Sequence, residues 1–456
     1  MYHKITKITK IKQIIVQTKF SPFFIKILKM LNPLFEKHFK DSPTLAINER
    51  VKEMWAQGQE VFHLGFGESR FPVHPLLQTA LTRNVHRKEY LPTHGLPQLR
   101  TVVAQFYQKE FNIPCVAAQV SIAPGSKLLL YAVQMILDGA LLLPTPSWVS
   151  YEPQAKILRK KAFWIQTDAQ NGYQLTLEGV KKAWVLAQKK GHKRGLLLLN
   201  SPNNPAGTMI ETAVLQEIAT YCRQEKIIIL SDEIYGMVTF EGQKQRSVAE
   251  FYPEGTIIFS GVSKNLSLGG WRMGYVIVPK NIPEVTKVLG TVASETWSAV
   301  AAPIQWALSE VFNNQELIDY VKEATDIHAL RSTYIWSGLT QQGVLCPKPQ
   351  GAFYLFPNFD FLKKGLAEKG VRTSEDLATY LLEKYQIATL PSSAFGCAPS
   401  VLSLRLSSSF LDMETDEKAQ NVLNVYRQNG ASDFIKYLPN LQKAVNQFGI
   451  FIKEHL

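Results

Sequence analysis

Four short, almost wholly apolar runs constrain the fold of this chain most: "GLLLLN" at 195–200, "IIIL" at 227–230, "TIIFSGV" at 256–262 and "MGYVIV" at 273–278. A strand with one wet face alternates apolar and polar side chains. Runs without alternation belong to strands covered on both faces, as in a parallel sheet. Between the first two lies "ETAVLQEIATYCRQEK", residues 211–226, whose apolar positions recur every three or four residues in helical register. Strand, helix and strand in this order predict an α/β architecture, a mainly parallel sheet flanked by helices. Residues 315–343 read as one long helix, and the pattern beyond them is α+β. We therefore expect a large α/β domain over 76–334, a smaller α+β domain from 41–75 and 335–456, and a basic extension over 1–40.

In open α/β sheets, ligands gather at the carboxyl ends of the strands. The apolar runs end there in Asn204 of "NSPNNPAG", Asp232 and Tyr235 of "SDEIY", and Lys264 of "SGVSK". Singly, these are a turn former, a helix cap and a solvated lysine. Four such residues at successive strand ends argue for a shared ligand. Pyridoxal 5'-phosphate has a use for all of them. Its aldehyde takes a lysine amine, its ring nitrogen a carboxylate, and its phenolate oxygen the donors of Asn204 and Tyr235. Its phosphate needs cations and a helix N-terminus, which Arg272 and "APGSKLLLYAVQM" supply. Within that string Gly125 permits close approach, and Ser126 and Lys127 begin the helix. Trp148 of "PTPSWVSY" offers an aromatic face for the ring.

Charge and cysteines narrow the class. Residues 1–40 hold nine lysines and one glutamate, so +8 of the formal +12 sits there and +4 is spread over the rest. A main body so weakly basic does not suggest nucleic-acid binding. The segment "KITKITKIKQIIVQTKFSPFFIKILKML" could lie on an anionic membrane surface or pack on a partner, and a plain N-terminal extension is the simpler reading. Its lysines interrupt every apolar run, so it does not span a bilayer, and it lacks the marks of a secretory or transit peptide. Cys115, Cys222, Cys346 and Cys397 are far apart in the chain. This suits a cytoplasmic protein with neither a disulfide framework nor a metal site.

Taken in order, the motifs resemble those of the class I, fold type I, pyridoxal-phosphate aminotransferases over roughly residues 45–410. "HLGFGE" resembles the family's N-terminal glycine motif, which implies that the Gly67 N–H meets the substrate carboxylate. "EYLPTHGLPQLR" resembles the segment whose tyrosine, here Tyr90, reaches the cofactor phosphate of the neighbouring subunit, implying a homodimer. "PSWVSY", "NNPAGT", "SDEIY" and "SKNLSLGGWRMGY" follow in family order, then "KPQGAFYLFPNF" and "LPSSAFG". "LSLRLSSS" supplies Arg405 as the expected α-carboxylate clamp. The resemblance implies that Lys264 forms the Schiff base and carries the proton in a ping-pong transfer from an L-amino acid to a 2-oxo acid. It also implies that Trp148 and Asn204 line the substrate. A carbon–sulfur or related lyase on the same fold is the alternative, and a non-enzymatic regulator with this domain a remoter one.

Two departures stand out. Gly261 occupies the place, three before the lysine, where many relatives carry a phosphate-binding hydroxyl. Ser260 points to the opposite strand face, which leaves Ser263 as the nearby hydroxyl. "ESRFPV" replaces a Pro-Asp-Phe-like sequence after Gly67, beside the substrate. Phe66, Trp148, Trp271 and Trp297 would suit an aromatic or aliphatic side chain. No second cation for a dicarboxylate can be placed from the sequence.

Overall fold

The apolar runs form neighbouring strands because neither of their faces can be left to water. A computed structural model describes residues 43–456. Its strands begin with β1 (Phe62–His63), β2 (Val120–Ala123), β3 (Ala140–Pro144), β4 (Ala162–Ile165) and β5 (Gly195–Asn200). They continue with β6 (Ile228–Asp232), β7 (Thr256–Gly261) and β8 (Gly274–Ile277). β2 to β8 make one seven-stranded sheet in the order β2-β8-β7-β6-β5-β3-β4. β3 to β7 pair in parallel, whereas β8 runs antiparallel to both its neighbours.

Alternate residues of each strand serve opposite faces. Leu197, Leu199 and Ile229 pack with Val180, Trp184, Leu215 and Ile218 from the helices Leu177–Lys189 and Thr212–Glu225. Leu196, Leu198 and Leu230 pack on the other face with Leu129, Leu130 and Val133 of the helix Ser126–Ile136 and with Leu289 of the helix Pro283–Glu295. Every residue of β5 and β7 is buried, as double coverage requires.

Further along are β9 (Tyr354–Leu355), β10 (Ile387–Ala388), β11 (Leu390–Pro391) and β12 (Leu404–Ser407). β11, β12 and β9 form a small antiparallel sheet, and β10 pairs in parallel with β1. The long helix runs from Gln315 to Thr340 and is capped by the Asn314 side chain, which accepts from the Glu316 amide at 2.8 Å. Leu317 and Val321 near its start belong to a core with Tyr275 and Ile258. Ile335 and Leu339 near its end belong to another with Leu355, Leu404 and Phe448. Among the described residues no helix is long and apolar enough to cross a membrane. The expectations for residues 1–40 lie outside the described residues.

β5 and β6 end in register, Asn200 opposite Asp232, and Asp232 lies opposite Phe259 of β7. The carboxyl edge of the parallel strands therefore brings together the polar residues that the sequence singles out.

Candidate active site

Lys264 follows β7 on this edge. Its Nζ donates to the Gly67 carbonyl at 2.6 Å and lies 5.8 Å from the centre of the Phe353 ring. Burial, and then the Arg405 cation, pull its proton affinity down to about 8, with Glu68 and Asp232 acting the other way. An amine in that range is partly neutral near physiological pH and so is a nucleophile and a proton carrier.

Asp232 closes β6 and is buried. Tyr151 donates its hydroxyl to Oδ2 at 2.6 Å, and the Ile234 amide donates to Oδ1 at 3.3 Å. Burial raises the carboxyl pKa to about 6, and the Tyr151 bond opposes that rise. Sequence reasoning missed Tyr151. The signal was its place three residues after Trp148, across a turn closed by the Tyr151 amide donating to the Trp148 carbonyl at 3.1 Å, which brings the two rings to 5.1 Å, edge to face.

Arg405 stands on β12, 3 % exposed, with no carboxylate partner among the described residues. Its Nη2 donates to the Gly65 carbonyl at 2.6 Å, its Cζ lies 4.8 Å from the Tyr354 ring and 5.4 Å from Phe395, and its Nε has no partner. A buried guanidinium so short of acceptors is a site for an anion. Tyr354, also missed from the sequence, joins Tyr235 hydroxyl to hydroxyl at 2.8 Å and lies 3.4 Å from the Gly67 carbonyl. A Cβ on Gly67 would sit 2.6 Å from the Tyr354 hydroxyl, so any larger residue would have to displace that hydroxyl. Asn204 is held by its main-chain N–H donating to Asn200 Oδ1 at 2.8 Å, which leaves its own buried amide oxygen without a partner.

A second set of groups suited to an anion adjoins these. The helix Ser126–Ile136 starts after Gly125, φ +92°, and no side chain caps its first amides. Arg272 is fixed across them by bonds to the Gly269 carbonyl at 2.8 Å and the Pro124 carbonyl at 3.2 Å. A Cβ on Gly125 would lie 2.3 Å from Arg272 Nη2. Lys127 Nζ lies 4.9 Å from the Trp148 ring centre. Free amides at a helix start, an arginine and a lysine are what a phosphate requires.

The missing hydroxyl at 261 has a steric cause. Gly261 pairs with Gly274 in β8, and a Cβ there would be 2.7 Å from the Met273 carbonyl oxygen. Ser260 turns away and donates to the Glu233 carbonyl at 3.3 Å. Ser263 is half-buried beside Lys264. The "ESRF" departure makes its own contacts. Ser69 Oγ is 2.6 Å from Ser267 Oγ and 3.3 Å from His328 Nε2, and Arg70 pairs with Glu68 at 3.4 Å. Phe66 packs edge-on to His63 and Phe410, while Trp271 and Trp297 pack partly buried against the hydrophobic cores. Tyr90 is 94 % exposed in the single chain. Its loop is tied down by Glu89, which accepts from Trp306 Nε1 at 3.0 Å.

Known proteins share both sequence and fold with this chain. The family described as aminotransferase class I and II matches residues 59–423. The aspartate aminotransferase of Geobacillus stearothermophilus is 34% identical over 384 residues, 82% of this chain and 94% of that protein. The asparagine–oxo-acid transaminase of Streptococcus mutans is 30% identical, across 85% of this chain and 97% of its own. The aspartate aminotransferase of Thermus thermophilus, solved with maleate, superposes with a TM-score of 0.75 at 26% identity, covering 86% of this chain and 98% of that one. A match that takes in the glycine motif, the strand-end lysine and the buried arginine places the chain in the class I and II aminotransferase family.

Proposed function

We propose that the groups around Lys264 are the catalytic centre of this pyridoxal-phosphate-dependent aminotransferase, and that it moves the amino group of an L-amino acid to a 2-oxo acid. The observation that carries the assignment is a half-buried amine bonded to the Gly67 carbonyl, its proton affinity lowered to about 8, near a buried carboxylate and a buried arginine with no carboxylate partner among the described residues. The uncapped helix start fits the cofactor's phosphate, and the Asn204 side chain, which makes no hydrogen bond among the described residues, leaves its NH2 to donate to the phenolate oxygen. When bound, pyridoxal 5'-phosphate supplies a carbonyl for amines and a protonated ring that accepts an electron pair.

The chain's own residues do the rest. Lys264 would hold the cofactor through its amine and, when free, would take the proton from the substrate α-carbon onto Nζ and return it in the reverse half of the transfer. Asp232 would keep the ring nitrogen protonated, the Asn204 NH2 and the Tyr235 hydroxyl would donate to the phenolate oxygen, and Trp148 would cover the ring. Gly125, Ser126, Lys127, Ser263 and Arg272 hold the phosphate. Arg405, with Gly67, Asn204 and Trp148, orients the substrate so that its α-hydrogen faces Lys264. Arg405 and Lys264 both lie against the one segment 65–67, through the Gly65 and Gly67 carbonyls, at 2.6 Å each.

The names of the relatives favour aspartate as donor. Mixing the loaded enzyme with aspartate, asparagine, tyrosine or leucine, without oxo acid, tests this. Aspartate should remove the cofactor's visible absorbance at the lowest concentration. A stronger response to leucine or tyrosine rejects aspartate, and no response to any amino acid rejects amino transfer.

Tyr151→Phe should raise the Asp232 pKa by up to about one unit, because a donor to the carboxylate is lost. Cofactor affinity near pH 6 should then fall by up to about fivefold, as the ionised fraction of Asp232 drops from about a half to about a tenth. Quenching of tryptophan fluorescence by added cofactor measures it, and an unchanged pH profile would free Asp232 from Tyr151.

Homodimer assembly, a cytoplasmic location and the division into 76–334 and 41–75 plus 335–456 belong to the same proposal. The exposed Tyr90, the four unpaired cysteines and the long helix shared by two cores support them. If Tyr90 of the partner subunit completes each phosphate site, inactive Lys264→Ala and Tyr90→Ala chains should complement. Randomly mixed dimers would recover roughly a quarter of all sites. Activity that stays at the level of the separate variants, with exchange confirmed, removes Tyr90 from the partner's site.

A further inference from the structure

Strand direction separates the two edges of the sheet. The catalytic groups follow the carboxyl ends of the parallel strands, so the segments entering β3, β4 and β5 lie on the opposite edge of the sheet. Those entries are neighbours. Leu141 N donates to the Lys161 carbonyl and Ala140 N to the Arg194 carbonyl, both at 2.9 Å. Arg159, Lys161, Lys189, Lys190, Lys193 and Arg194 are all exposed there. Among the described residues only Arg194 of the six has an acidic partner, Asp138 at 3.3 Å. The helix Leu177–Lys189 buries Val180, Ala183, Trp184 and Ala187. It also leaves Val185 43% and Leu186 49% exposed, between the lysine pairs 181/182 and 189/190.

We propose that this edge docks on an anionic lipid surface, with the basic loops over the headgroups and Val185 and Leu186 entering the interface. Two observations choose a bilayer over a nucleic acid. Exposed aliphatic side chains gain nothing from a phosphate backbone but gain from a bilayer interface. Of the rings beside these loops, Phe163 and Trp184 are buried, Trp164 packs partly buried on the core and the half-buried His192 stands edge to face on Phe163 at 5.3 Å, so none presents a fully open face for a base to stack on. Docked this way, the carboxyl edge with its active site faces away from the membrane, and substrates reach it from solution. The attraction is between exposed charges, so salt weakens it over a screening length of about 8 Å at physiological ionic strength.

The test is sedimentation of the full-length, cofactor-loaded enzyme with vesicles of phosphatidylcholine alone or with phosphatidylserine added. The wild type should bind the mixed vesicles in low salt and not the neutral ones. Lys161→Glu, Lys189→Glu, Lys190→Glu and Lys193→Glu together should lower the partition coefficient at least about tenfold with amino transfer unchanged. Val185→Ser with Leu186→Ser should lower it by a smaller factor. The lysines of residues 1–40 could bind lipid by themselves, so the four-glutamate change is repeated with those lysines replaced by glutamine. The loss should recur in that background. Wild-type protein that ignores acidic vesicles, or a four-glutamate variant that binds as well as wild type, overturns the proposal. So does a wild type that prefers a DNA duplex to the vesicles and loses that preference in the variant.

Discussion

Lys264→Ala is expected to end amino transfer while leaving the fold intact. The lysine sits beyond the end of β7, and its amine makes one hydrogen bond to a protein group, the Gly67 carbonyl. Losing that bond costs about 1 kcal/mol, and removing a desolvated amine offsets part of it. The melting temperature should therefore move by only a few degrees. Catalysis has no such compensation. Among the described residues Lys264 is the one cation whose charge acts on Asp232, so both covalent attachment and α-proton transfer are lost. A fall in kcat of about 10² to 10⁴ follows from the ordinary worth of a positioned acid–base group, and the loss of covalent attachment adds to it. Borohydride reduction of the loaded wild type, then peptide mass spectrometry, should find the cofactor on Lys264, and label on Lys127 instead would refute the assignment. The pH dependence has a definite sign. The folded pKa lies below the usual lysine value, at about 8, and only the neutral amine attacks a carbonyl. Cofactor attachment to the apoprotein should therefore quicken as pH rises through about 8 and level off above it.

What the sequence discloses and what it hides follow from the same physics. Strands buried on both faces announce themselves, and "GLLLLN" is β5 residue for residue. Their direction is not announced, because an apolar run looks the same either way, and β8 is antiparallel. Lys264 draws notice because a cation after an apolar string needs a reason, whereas Arg405 draws notice only through the resemblance of "LSLRLSSS" to a family motif. Tyr151 and Tyr354 are not, because a hydroxyl on an aromatic ring looks like core until its partner comes into view across the fold. Gly261 reads as a lost hydroxyl from the sequence alone. Its cause, the Met273 carbonyl 2.7 Å from where a Cβ would lie, appears only once β7 and β8 are paired.

Arg405→Leu should separate substrate binding from cofactor binding. The clamp is a buried, charge-assisted pair, so its loss should cost at least about 2 kcal/mol, a KM increase of roughly 30-fold. kcat should fall as well, because the α-hydrogen is no longer held toward Lys264. Cofactor affinity should stay within about twofold, since the phosphate and ring contacts come from other elements. Arg405→Lys should recover little, because an ammonium keeps the charge but not the planar fork. Stability supplies an independent reading. In the apoprotein the guanidinium is desolvated and its Nε has no partner, so a leucine between Tyr354 and Phe395 should hold or raise the melting temperature. The wild type, in contrast, should be stabilised by a bound 2-oxo acid in proportion to its occupancy, and the leucine variant should not. A variant that keeps its KM across the amino-acid panel, and still gains stability from the oxo acid, would mean that the α-carboxylate is bound elsewhere and that Arg405 only props up the carbonyl of Gly65.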